Sequence, residues 1–130
     1  MIILLLLNTF LSAAQIRLSK VQAYAEGAHF ISATVYDARM LQEEYAKTPK
    51  SVFLIKDAEV TIASKDVEKS ESTRDLGYAW FFEDFKSAKL EVSVSKKGYK
   101  DFSETWRLTR TMEYIEVFIT PEIETDLPGQ

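Results

Sequence analysis

Two acidic pairs, Glu43–Glu44 and Glu83–Asp84, are the simplest hydrolytic machinery in this chain, because two carboxylates can share the work of general acid and base. Both pairs fall in connections that read as exposed, where adjacent acids serve solvation, so neither is assigned to catalysis. His29 is the one histidine, and any Ser-His-Asp arrangement would have to run through it. It stands at the start of an expected strand without a nucleophile-elbow motif, and that chemistry is rejected. Asp66, Glu68, Glu71 and Asp75 lie in one loop and offer the oxygen ligands that calcium takes. They lack the spacing and the turn glycine of a calcium loop, and Lys65, Lys69 and Arg74 neutralise them. There is no cysteine, which removes thiolate zinc sites and thiol catalysis. The expectation is a non-enzymatic chain without metal or cofactor. Tyr78, Trp80, Phe81, Phe82 and Trp106 could stack against sugar rings, but aromatics at alternating spacing inside strands read first as core.

The elements that position these residues are strands. Leu90, Val92 and Val94 alternate with Glu91, Ser93 and Ser95, the period-two signature of a half-buried strand. A turn at Lys96–Tyr99 follows. Phe102, Trp106 and Leu108 then share one parity, and an apolar run from Tyr114 to Ile119 stops at Pro121. Three such strands joined by short turns predict an antiparallel sheet. His29–Asp37 reads as a further strand, with Ile31, Ala33 and Val35 on one face and Phe30, Ser32, Thr34 and Tyr36 on the other. Ala58, Val60 and Ile62 alternate in the same way. Residues 38–47 are good helix formers and predict a short surface helix, ended by Thr48–Pro49. Residues 64–76 read as a long hairpin loop, or as strand edges with a mobile tip.

The chain has 130 residues, enough for one domain, and 46% of them are hydrophobic, which supports an ordinary core. A net charge of −4 with scattered basic residues disfavours nucleic acid, whose binding needs clustered cations. Ile2–Leu7 is an unbroken apolar run, extended by Phe10 and Leu11 and followed by Ser12, Ala13 and Ala14. Residues 1–14 therefore read as a signal peptide, too short to span a bilayer, and the mature chain carries no second apolar segment to anchor it. Residues 15–122 form the expected domain, and 123–130 a frayed tail. The expected location is secreted or periplasmic.

Thr73–Arg74–Asp75–Leu76–Gly77–Tyr78–Ala79–Trp80–Phe81, the strand ending at Gly98–Tyr99, and the closing Ile119–Thr120–Pro121 follow one another in a known order. Together with Ile31–Asp37, they resemble the carboxypeptidase regulatory-like domains; the PEGA-type domains share a similar sandwich and ending. The resemblance covers about residues 30–122. It implies an all-β fold: a seven-stranded antiparallel sandwich of transthyretin-like (prealbumin-like) Greek-key type.

A sandwich of this kind works by contact, with loops presented on a rigid scaffold. The expected partner is a protein or cell-surface component. Two rival readings are a carbohydrate-binding module, with at least two aromatics exposed on one flat face, and an accessory or inhibitor domain acting on a secreted enzyme. The candidate interaction surface is Met40, Leu41 and Tyr45, more apolar area than a solvated connection needs. The bland alternative is that these three cap one end of the sandwich. Tyr99 is expected to fold its ring over the core edge with its hydroxyl in water. Val60, Ile62, Val92, Val94, Ile31, Val35 and Trp106 are expected to share one core.

Overall fold

The structure is a computed structural model, and it describes residues 29–85 and 89–129. The signal-peptide reading of 1–14 and the first part of the expected domain, residues 15–28, lie outside the described residues. Seven strands follow in chain order: β1 (His29–Asp37), β2 (Glu59–Ala63), β3 (Glu68–Ser72), β4 (Tyr78–Glu83), β5 (Lys89–Ser95), β6 (Phe102–Arg107) and β7 (Met112–Ile119). They form two sheets, one ordered β4-β1-β7 and the other β3-β2-β5-β6.

Alternation explains what lies between the sheets. Ile31, Ala33 and Val35 of β1 face inward with Ala79 and Phe81 of β4 and with Ile115, Val117 and Ile119 of β7. Val60 and Ile62 of β2 pair within the second sheet with Val94 and Val92 of β5, and this apolar row joins that of the first sheet in one core. All of these side chains are buried, and their apolar area supplies the main driving force for closing the sheets. The six aliphatic members of the expected core share it. Trp106 differs: it packs against that core but is only half-buried. Its strand, β6, is the edge of its sheet, so among the described residues no neighbouring strand covers the ring's outer side.

The antiparallel expectation needs correction at one place. β1 and β7 run parallel, with Phe30 beside Met112 and Asp37 beside Ile119. β5 and β6 do form the expected hairpin, but β7 leaves them and closes the other sheet beside β1. Alternation fixes which side chains point inward and carries no information on which edge a strand joins. A parallel pair needs a long crossover, and nearly the whole domain separates β1 from β7.

The helix expected over 38–47 is two 3-10 turns, Ala38–Leu41 and Glu43–Tyr45, and a third, Lys50–Phe53, follows. Side-chain bonding from Asp37 to the Arg39 amide fixes the first turn, and no run is long enough to nucleate an α-helix. Residues 64–76 resolve into the strand-edge alternative. β3 is an exposed edge strand of Glu, Lys and Ser, the composition that blunts an edge against unwanted pairing. The tail is docked where fraying is expected: Leu127 is buried with Tyr36 and Phe53, and the Gly129 amide donates to the Val52 carbonyl at 2.8 Å. A side chain at Gly129 would come within 2.7 Å of the Val52 backbone.

Candidate functional site

The expected interaction residues separate. Met40 and Tyr45 pack against the cluster of Tyr36, Phe53 and Leu127, and the Tyr45 and Phe53 rings meet edge-on at 5.4 Å. Leu41 points away and is 66% exposed. The three therefore do not form one patch: two of them cap an end of the sandwich. Glu43 and Glu44 are exposed, as is Asp84, while Glu83 is half-buried. His29 is half-buried, and its Nδ1 has no hydrogen-bond partner among the described residues. Asp66, Glu68, Glu71 and Asp75 do not gather. Among the described residues no group of three or more His, Cys, Asp or Glu could hold a metal.

A cluster that sequence reasoning missed lies at the end of β1. Asp37 is fully buried and its carboxylate is saturated. Oδ1 accepts from the Arg39 backbone N–H at 2.9 Å and from Nε at 3.0 Å; Oδ2 accepts from Arg39 Nη2 and from the Tyr99 hydroxyl, each at 2.8 Å. Those four bonds use every lone-pair site of a carboxylate. Arg39 turns its remaining donors on the tail, with Nη1 bonded to the Thr125 carbonyl and Nη2 to that of Asp126. Burial alone would raise the Asp37 pKa; the bonds from Arg39 and Tyr99 outweigh it and hold the carboxyl below its ordinary range. The Arg39 guanidinium is held still more firmly protonated, chiefly by its bond to Asp37. Burial, then the bond to Asp37, pushes the Tyr99 hydroxyl up to about 12. That hydroxyl is bonded to Asp37 where the sequence predicts one in water. A carboxylate with no free acceptor, a permanent cation and a neutral phenol cannot take a proton from a substrate. The cluster is a lock that ties β1 to the Gly98–Tyr99 turn and to the tail.

A second feature faces solvent. β3 and β4 are edge strands of different sheets, and they meet along a seam. Side chains of β3 that share the parity of buried Val60 and Ile62 reach over it. One of them, Lys69, approaches Glu83 of β4 at 4.0 Å. Two residues along, Glu71 overhangs a cleft of about 210 Å³ lined also by Ser72, Thr73, Arg74, Leu76, Tyr78, Ala79 and Trp80. Alternation along β4 sends Ala79 and Phe81 into the core and turns Tyr78, Trp80 and Phe82 to the outer face. The aromatic run is thus not all core. Phe81 is buried, Tyr78 and Trp80 are half-buried, and Phe82 is 40% exposed. The Tyr78 and Trp80 rings lie 5.4 Å apart with an interplanar angle of 34°.

The floor of the cleft is rigid for a local reason. Thr73 is fully buried. Its hydroxyl donates to the Ile55 carbonyl at 2.8 Å and accepts from the Ala58 amide at 2.9 Å. Its own carbonyl receives the Leu76 and Gly77 amides. Gly77 sits at φ +81°, and a Cβ there would stand 2.8 Å from Leu54, so conformation and space both require glycine. Arg74 takes the left-handed region at φ 48° without being glycine, a local strain that this closed turn sustains. Its backbone N–H is held by Ser72 Oγ at 2.9 Å. Among the described residues, neither the Glu71 carboxylate nor the Arg74 guanidinium makes an ion pair or side-chain hydrogen bond. The cleft therefore pairs two aromatic rings with an uncommitted acid and an uncommitted base on a clamped turn.

No family model matches the sequence, and no curated protein matches it. Solved structures do match in shape, 11 chains in all. One belongs to a type II cohesin–X-dockerin complex from Acetivibrio cellulolyticus, a C-terminal interface mutant; it aligns with a TM-score of 0.49 at 14% identity, over 78% of this chain and 63% of that one. This chain thus spans less than two thirds of that neighbour's length. Among the described residues, no helix is long and apolar enough to cross a membrane.

Proposed function

We propose that this protein is an exported, non-catalytic β-sandwich that works by contact, and that the seam between β3 and β4 is its contact surface. The observation that carries the reading is the clamped cleft, where Glu71, Arg74, Tyr78 and Trp80 are held on a fixed frame with no partner for the two charges among the described residues. Polar groups uncommitted within the fold, set beside half-exposed rings, are what a recognition site consists of. Export rests on the apolar run at residues 2–11 and the small residues after it. The transthyretin-like Greek-key reading belongs to this proposal, with the carboxypeptidase regulatory-like domains first and the PEGA domains second; the glycine-dependent Thr73–Gly77 turn supports it. Leu41, exposed beside the end that Met40 and Tyr45 cap, is a second contact residue.

Retention of the purified full chain on isolated cell-envelope material of the producing organism tests the reading. The Glu71→Ala/Arg74→Ala double variant should be retained about tenfold less, and Leu41→Asp measurably less. Equal retention of both variants and the parent, all folded by circular dichroism, would sink it.

A further inference from the structure

We propose that the cleft between β3 and β4 binds a neutral sugar ring, with Trp80 as the stacking surface and Glu71 and Arg74 as the hydroxyl-binding groups. The proposal rests on the contact reading above and names the ligand class of the same site. Three observations converge on it.

The first is size. A cleft of about 210 Å³ is below the range of roughly 300–1,000 Å³ that houses a drug-sized ligand. A single ring, extended by neighbours in solvent, suits it better than a bulky compact ligand.

The second is the ring pair. Tyr78 and Trp80 sit two residues apart on the same face of edge strand β4, tilted by 34°. They present a broad, half-exposed aromatic surface whose electron-rich face attracts the polarised C–H groups of a pyranose. A peptide side chain could use one such ring. A flat saccharide unit uses the indole face and leaves its hydroxyls around the rim.

The third is what stands at that rim. Glu71 accepts only, and Arg74 donates only. A sugar hydroxyl does both, so adjacent hydroxyls can satisfy the carboxylate and the guanidinium at once. Glu71 and Ser72 also border a neighbouring depression lined by Asp57, Glu59 and Ser70. The local acidity around β3 opposes a uronate, a phosphate or an acidic peptide. The Arg74 guanidinium in the same cleft opposes a cation in turn, so an uncharged, hydroxyl-rich ligand fits best.

Tryptophan supplies the assay, because the chain has two, Trp80 and Trp106, and Trp106 packs against the core from the far edge of the other sheet. The ¹⁵N–¹H indole signals of the full chain are followed during titration with cellohexaose, chitohexaose, xylohexaose and mannohexaose to roughly millimolar concentration. Trp106→Phe assigns the two signals. At least one saccharide should shift the Trp80 signal saturably and leave the Trp106 signal in place. Trp80→Ala and Glu71→Ala/Arg74→Ala should each weaken that binding by about tenfold or more, followed on backbone amides of residues 72–79. No shift of Trp80 with any of the four would overturn the proposal, as would binding that the double variant leaves intact. If sugars fail while the double variant still loses envelope retention, the glycan assignment falls and the contact reading stands. If both measurements are unmoved, both fall.

Discussion

Replacing Arg39 by methionine should expose how much of this fold hangs on one buried charge. The substitution keeps most of the side-chain volume and removes the guanidinium from Asp37, which is fully buried. Two of the four bonds to the carboxylate disappear, leaving the backbone amide of residue 39 and the Tyr99 hydroxyl. Removing one partner of a buried pair costs about 3–5 kcal/mol, because the other charge stays behind without compensation. An independent bound agrees. The variant can escape by protonating Asp37, and from an ordinary pKa of about 3.9 that costs about 4 kcal/mol at pH 7 and less than about 1 kcal/mol at pH 4.5. The penalty should therefore be about 3–5 kcal/mol at pH 7 and shrink by about 2–3 kcal/mol at pH 4.5. Urea unfolding followed by tryptophan emission at the two pH values measures it. The Asp37→Asn/Arg39→Met double variant should be more stable at pH 7 than Arg39→Met alone, since no charge is stranded. The tail reports separately: loss of the Arg39 bonds to the Thr125 and Asp126 carbonyls should speed hydrogen exchange at the Gly129 amide. A penalty under about 1 kcal/mol at pH 7, or one independent of pH, would refute the reasoning.

Three further outcomes follow from the same geometry. Asp37 has a lowered folded-state pKa and Tyr99 one of about 12; the stability Asp37 contributes is thus present above about pH 4 and lost as pH falls through its folded value. That of Tyr99 is complete below about pH 10 and fades between about 10 and 12, so Tyr99→Phe should flatten the alkaline limb of a stability–pH profile. Gly77→Ala should cost more than Gly98→Ala by at least about 1 kcal/mol in urea, because both are at positive φ but only Gly77 has Leu54 in the way; equal costs would remove the close-approach argument. Thr73→Val should cost about 2–4 kcal/mol by stranding the Ile55 carbonyl and the Ala58 amide, and a loss under about 1 kcal/mol would show that water replaces the hydroxyl.

Strands were legible because their cause is local. β1 has the bounds His29–Asp37 that alternation predicts, and Val60, Ile62, Val92 and Val94 face inward by parity alone. What alternation cannot carry is pairing at a distance. It could not place β7 parallel to β1, nor send Arg39 to the carbonyl of Thr125. Arg39 lies among good helix formers and reads as a surface residue; its only local signal is Asp37 two residues before it, at a strand end where an acid can cap the next turn. The cleft was visible in pieces. Residues 64–76 read as a long hairpin loop or strand edges, Glu71 and Arg74 as loop charges, Tyr78 and Trp80 as core. Their assembly depends on two edge strands of different sheets lying side by side, and no spacing in the chain records that.

The seam is also where a sandwich of this topology can best carry a site. Inside a sheet each backbone group is committed to a ladder, and each inward side chain to the core. At the crossing from β3 to β4 the chain must leave one ladder before it joins the next, so residues 73–76 pair with no strand among the described residues, and the ladder resumes where the Gly77 carbonyl accepts from the Val35 amide of β1. Such a segment is ordinarily the loosest part of a fold. Here Thr73 replaces the missing ladder with two side-chain bonds and a backbone bond to residues 55–58. Gly77 then returns the chain directly into β4. The result is a stretch that lies outside the ladders and yet is fixed, with Arg74, Tyr78 and Trp80 lining the same cleft. Side chains so placed can change identity without disturbing the core, and they meet a ligand with little motion left to lose. The lock at Asp37 and the clamp at Thr73 thus do different work. The first closes an end of the sandwich with the Asp37 carboxylate fully bonded, and the second holds a surface open with its charges unspent.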